Sequence, residues 1–224
     1  MAKKLFNTKI GLALGGGAAK GIAHVGVLKA LEDNNVDIRY IAGTSVGAIV
    51  AALYAFNVDV DTIGGLAKRL TMSKVTSFKL SKTGFFSTES LRDLIVEYLG
   101  EVNIEEANIP LSIVATDIKT GEEIILTQGS VPDAVCASAA IPGIYIPVQI
   151  GVRTLVDGGL VQNVPIEALQ AMGAGVTIAS HLNSVSHYSE ISHVLDVMRN
   201  AFEIAVSQHT HDQIKAVSYT HLTL

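Results

Sequence analysis

Ile41-Ala42-Gly43-Thr44-Ser45-Val46-Gly47-Ala48 decides how the rest of the chain is read. It is a buried strand, a one-residue corner and the start of a helix. Gly43 and Gly47 bracket Ser45 in the G-x-S-x-G spacing. A serine thrust out on so sharp a strand-to-helix turn has a strained backbone, and its neighbours two residues to either side must lack a Cβ for the chain to close. The helix that follows aims its unpaired N–H groups and positive end at the serine, which favours negative charge developing there. The same spacing arises by chance in chains rich in glycine and serine, so the corner alone marks a candidate nucleophile and no more.

Around that corner, 224 residues with 49% hydrophobic and 17% charged side chains suffice for one domain with a large core. That balance excludes a disordered chain, and a net charge of −5 gives no long-range pull towards nucleic acid. A single cysteine, Cys136, excludes an intrachain disulfide and fits a reducing compartment; the expected location is cytoplasmic, with any peripheral membrane contact coming from local patches. Lys3 and Lys4 before an apolar stretch imitate a signal peptide, but Lys9 and four glycines between Ile10 and Ala19 break the pattern. Tyr40 to Val58 carries no charge and is long enough to span a bilayer. The Gly43–Gly47 corner cuts it into a strand and a helix.

Lys9 to Leu14 reads as a strand, Ala19 to Asn34 as a helix, Tyr40 to Ala42 as a strand and Val46 to Phe56 as a helix. This β-α-β-α opening implies parallel strands covered by helices. Asp61 is placed to cap a helix reaching Leu70, and Ser87-Thr88-Glu89 starts another, closed by Gly100. These two are either a helical cap over the sheet or plain packing helices, with a polar loop from Met72 to Phe85 between them. Leu111 to Ala115 and Glu123 to Thr127 are strands; Ser130 caps a helix to about Ala140. Tyr145 to Ile150 and Arg153 to Val156 form a hairpin, Pro165 to Met172 a short helix and Gly175 to Ser180 a strand. Ile191, Val194, Leu195, Met198, Phe202 and Ala205 mark a long amphipathic helix. The last residues, 216–224, resemble translated adapter sequence rather than a natural terminus, so the domain is expected over residues 8–215, cut short at its C-terminal end.

Two further features carry chemistry. Gly15-Gly16-Gly17, between the first strand and helix, exposes backbone N–H groups able to hold a phosphate or an oxyanion. The dinucleotide fingerprint fails because Lys20 occupies its last glycine position, and no Gly-Lys-Ser/Thr of a P-loop exists. Asp157 ends a strand and precedes Gly158-Gly159, which allow another loop to approach closely. Amide donors, a nucleophile and an acid at three strand ends would converge at one edge of a parallel sheet. His181 follows Asp157 in the Ser-Asp-His order of the α/β hydrolases, so a histidine base stays open at this point. His193, His209 and His211 read as solvated, His24 as packed beside the glycine loop, and His187 as solvated too.

Taken in order, Gly15-Gly16-Gly17-Ala18-Ala19-Lys20-Gly21, Gly43-Thr44-Ser45-Val46-Gly47 and Asp157-Gly158-Gly159-Leu160-Val161-Gln162-Asn163-Val164-Pro165 resemble the patatin-like phospholipase family, its bacterial single-domain members above all. Ala137 to Gly143 resembles the stretch that precedes the catalytic aspartate there. The resemblance implies a single three-layer α/β/α domain with a mostly parallel sheet. It implies a serine-dependent lipid acyl hydrolase, without metal or cofactor, acting on phospholipid or other acyl esters with transient membrane contact. Ser45 would be the nucleophile and Asp157 its base. Gly15, Gly16, Gly17 and Ala18 would form the oxyanion hole, with Lys20 at the family's basic position and Asn163 in an orienting role. Gly43, Gly47, Gly158 and Gly159 would support the turns. An aspartate near its usual pKa of about 4 is a poor base for an alcohol, so a dehydrated site with a raised Asp157 pKa is expected. An esterase or transacylase on soluble esters, or a non-catalytic lipid-binding regulator, are the alternatives.

Overall fold

The computed structural model describes residues 9–72, 86–182 and 190–216. The predicted loop after Met72, His187 and residues 217–224 lie outside them. Seven strands form one sheet: β1 (Ile10–Leu14), β2 (Ile38–Thr44), β3 (Leu111–Asp117), β4 (Glu123–Leu126), β5 (Val148–Ile150), β6 (Arg153–Asp157) and β7 (Val176–Ser180). The strands are hydrogen-bonded along the path β5-β6-β3-β2-β1-β7, with β4 also paired to β3. β7, β1, β2 and β3 run parallel; β4, β5 and β6 join antiparallel.

The two faces of the sheet are written in alternate residues. Leu12, Leu14, Ile41, Leu111 and Ile113 enter one core with residues of α1 (Ile22–Asp33), α2 (Val46–Ala55), α3 (Val60–Met72), α4 (Glu89–Leu99) and α5 (Val131–Ser138). Ala13, Ala42 and Val114 face the other way, against Ile166, Ala168 and Leu169 of α7 (Ile166–Ala171). The small side chains on this second face let α7 lie close to the strands. α6 (Gly159–Gln162) and α8 (Val194–Ala216) complete the layer. The result is the expected α/β domain with helices on both faces.

One strand positions the site. β3 pairs β2 through residues Leu111 to Val114 and β6 through Ala115 to Asp117. It also pairs β4 through Ile113 to Thr116, which overlaps both sets. A strand has only two edges, so β2 and β6 must share one and β4 takes the other. Antiparallel β6 therefore runs head-on towards the C-terminal end of β2. Thr44 stands opposite Val114 and Asp157 opposite Ala115, adjacent positions on the same edge.

Three local expectations are corrected. The cap of α3 is Asp59, not Asp61: Asp59 Oδ1 accepts the Thr62 amide at 2.8 Å, three residues on, where an N-cap side chain reaches. Of the two readings left open for α3 and α4, plain packing helices fit, since Ile63, Leu66 and Ile95 are buried in the main core. The apolar stripe of α8 forms its helix but does not face inward. Val194 is 75% exposed and Ile191, just before it, 68%, while Asn200, Val206 and Thr210 on another face are buried. His209 Nε2 lies 2.8 Å from Val161 O and ties α8 to α6, so this histidine is not simply solvated.

Candidate active site

Ser45 sits on the corner between β2 and α2 with φ 55° and ψ −123°, a region costly for any residue with a Cβ. The flanking glycines permit it. A Cβ on Gly43 would stand 2.5 Å from Ala48 Cα, and one on Gly47 would strike the Leu14 carbonyl. The corner also hangs from α5. The Ser45 amide donates to Ser138 Oγ at 2.8 Å, and Ser138 Oγ donates to Val114 O at 2.6 Å.

Asp157 is the last residue of β6 and is 1% exposed. Its backbone is held on both sides: its N–H donates to Ala140 O at 2.9 Å, and Thr116 Oγ1 donates to its carbonyl at 2.9 Å. The Gly159 amide donates to Oδ1 at 2.8 Å. Burial pushes the carboxyl up to about 6, and the Gly159 amide and the Ser45 hydroxyl pull it only partly back. Ser45 is thus near enough to favour the carboxylate. Oδ2 is buried with no hydrogen-bond partner among the described residues. Among the described residues, the groups that bear on this carboxyl are Ser45 and Gly159. His181 lies just past β7, on the far side of β1 from β2.

The glycine loop leaves β1 beside Ser45: a Cβ on Gly16 would stand 3.3 Å from Ser45 Cβ and 2.5 Å from Asn163 Oδ1. Of the four expected donors, two are occupied. The Gly15 amide donates to Ser180 O and the Gly16 amide to Asn163 O, each at 3.0 Å. Tertiary partners on β7 and after α6 take them, which the loop's own sequence does not show. Gly17 and Ala18 follow at the entry of the 3-10 turn Ala18–Gly21. Leu182 packs against Gly17.

Asn163 is 2% exposed and lies between Gly16 and Gly159, with its Nδ2 buried and unpartnered among the described residues. Lys20 is exposed at the end of the 3-10 turn. Gly158 lets β6 turn against β3, where a Cβ would meet the Val114 carbonyl. Two residues gain importance from the structure alone. Ser138 lies in a segment singled out only by likeness, and His24 read as a packing residue. Both act by long-range hydrogen bonds that leave no local pattern. Among the described residues no group of three or more His, Cys, Asp or Glu side chains could hold a metal ion, and no helix is long and apolar enough to cross a membrane.

A family model for patatin-like phospholipase matches residues 12–169, from β1 through α7. The chain belongs to the patatin-like phospholipase family. Among relatives of this patatin-like domain, an uncharacterized NTE family protein of Mycobacterium bovis is 36% identical over 178 residues, 78% of this chain and 49% of the relative. Lysophospholipase NTE1 of Yarrowia lipolytica is 31% identical over 191 residues, 83% of this chain and 13% of the relative. The patatin-like chain thus spans about half the length of the first relative and a small part of the second. The crystal structure of VipD from Legionella pneumophila aligns with 70% of this chain and 47% of its own, at 17% identity and a TM-score of 0.46.

Proposed function

We propose that this protein hydrolyses lipid acyl esters with Ser45 as nucleophile and Asp157 as general base. The observation that carries the reading is a buried carboxyl at the end of β6, one register position along β3 from the strand that leads into a serine held at a strained corner; burial raises that carboxyl to about 6. A carboxylate that titrates near 6 is a far better proton acceptor for a hydroxyl than one at 4. Asp157 takes the Ser45 proton as Ser45 Oγ attacks the ester carbonyl. The Gly17 and Ala18 amides receive the tetrahedral oxyanion, each such donor being worth about 3 kcal/mol. Asp157 then gives its proton to the leaving alcohol, and a water deprotonated by the same carboxylate releases the acid from Ser45. Gly159 orients the carboxyl through its amide, and the Asn163 carbonyl holds the Gly16 amide of the loop.

The family and the lysophospholipase among its relatives support a lipid ester as substrate, a single-chain lysophospholipid first among them. The exposed apolar residues of α8 support contact with the surface of a lipid aggregate. α8 borders the site: Val206 lies beside Gly159 and Met198 covers Gly143.

The test is hydrolysis of lysophosphatidylcholine and of p-nitrophenyl butyrate by wild type, Ser45→Ala, Asp157→Asn and His181→Ala, with labelling by a fluorophosphonate. Ser45→Ala and Asp157→Asn should each lose at least about 1,000-fold in kcat, and His181→Ala should stay near wild type. Full activity in Asp157→Asn, or loss confined to His181→Ala, would sink the dyad.

A further inference from the structure

One buried polar side chain at the edge of the site has no task in that mechanism. His24, in the first turn of α1, is 0% exposed, and both its ring nitrogens are engaged. Nε2 lies 2.7 Å from Gly15 O, and Nδ1 lies 2.9 Å from Ser180 Oγ. A carbonyl can only accept, so Nε2 carries the proton and bare Nδ1 accepts the Ser180 hydroxyl. Burial keeps the ring neutral by lowering its pKa to about 4, although the Gly15 carbonyl favours the charged form.

These contacts close a circuit. The Gly15 amide donates to Ser180 O, the Ser180 hydroxyl donates to His24, and His24 donates back to Gly15 O. Gly15 O also belongs to the same peptide plane as the Gly16 N–H, which donates to Asn163 O. That plane is therefore held at both ends. Three successive glycines have almost no steric preference of their own, so an outside clamp has to set the loop. The next peptide along carries the Gly17 amide.

We propose that His24 is a positioning residue for ester hydrolysis: it fixes the Gly15–Gly16 peptide plane so that the Gly17 and Ala18 amides face the carbonyl oxygen of an ester bound at Ser45. The assignment rests on the oxyanion reading above. His24 touches neither Ser45 nor Asp157 and takes no part in proton transfer.

The test compares wild type, His24→Leu, His24→Gln and Ser180→Ala on p-nitrophenyl butyrate. It also measures inhibition by a trifluoromethyl ketone, which forms a tetrahedral adduct, against the matching methyl ketone. His24→Leu should lower kcat by about 30- to 100-fold with KM within about two-fold, and should weaken the trifluoromethyl ketone by the same factor. Its pH–rate midpoint should stay near that of wild type, because Asp157 is untouched. His24→Gln, whose amide can still donate to Gly15 O, should recover kcat to within about five-fold. Ser180→Ala removes only the outer bond and should cost about three- to ten-fold in kcat; it decides the matter where His24→Leu does not fold. A folded His24→Leu within three-fold of wild type, equal losses in the leucine and glutamine variants, or an unchanged Ser180→Ala where that variant has to decide, overturns the assignment. Should wild type bind the trifluoromethyl ketone no better than the methyl ketone, the oxyanion reading fails and the His24 role with it. Tight wild-type inhibition with unaffected variants overturns the His24 role alone.

Discussion

Ser138 carries the backbone of Ser45: one hydroxyl accepts the corner amide and donates to the Val114 carbonyl midway along β3, and it is wholly buried. Ser138→Ala would leave the Ser45 N–H and the Val114 carbonyl without this partner. The expected loss is about 1–3 kcal/mol of stability, read by urea denaturation. Activity should fall with it, since the corner loses its tether. Ser138→Thr, if its methyl fits, should keep more of both than Ser138→Ala.

The Asp157 carboxyl makes both activity and stability depend on pH. Hydrolysis should rise with pH and level off above a midpoint near 6, seen in kcat/KM for a soluble ester. Stability runs the other way. The folded carboxyl holds its proton to higher pH than the unfolded chain, where it titrates near 4. Between these values the folded state binds more protons, so stability falls as pH rises from about 4 to 6 and stays lower above that. The span corresponds to about 3 kcal/mol at most. Asp157→Asn cannot ionise, so at pH 8 it should melt about 5 °C above wild type while inactive, and the gap should close near pH 4.

The strain at Ser45 is separable from its chemistry. Ser45→Gly can adopt φ 55° freely, whereas Ser45→Ala cannot. Both should be inactive, and the glycine variant should be the more stable by about 1 kcal/mol in denaturant titrations. Equal stability of the two would show that the corner is not strained.

Glycines differ sharply in what they tolerate. Gly47→Ala drives a Cβ into the Leu14 carbonyl, and neither partner is a flexible side chain. It should be destabilised by at least about 3 kcal/mol or fail to express in soluble form. Gly26→Ala, on α1 with nothing within 4 Å of the new Cβ, should gain about 0.5–1 kcal/mol by raising helix propensity. Thermal melts of the pair check both.

What was legible in the chain was what local sterics dictate. The Gly43–Gly47 bracket predicts the corner at Ser45, and Ser130 caps α5 by accepting the Asp133 amide, as its spacing implies. Alternate large and small residues in β1 and β2 write the two faces of the sheet. What was not legible depends on partners far along the chain. No pattern in Gly15–Ala18 shows that two of its four amides are already engaged by Ser180 and Asn163. The stripe on α8 predicts a helix, but Val206 and Thr210, not Val194, decide which side packs. Asp157 was found as an acid before two glycines, and its antiparallel approach along β3 has no sequence signature.

That approach has a consequence for how activity is acquired. Because β6 continues the edge of β3 where β2 stops, Ser45 and Asp157 come from segments far apart in the chain that β3 brings to adjacent positions. Neither half of the chain holds a reactive centre. Pairings of such long sequence separation form slowly. Recovery of esterase activity during refolding should therefore lag behind recovery of helical circular dichroism, which makes hydrolysis itself a clock for the last strand to dock.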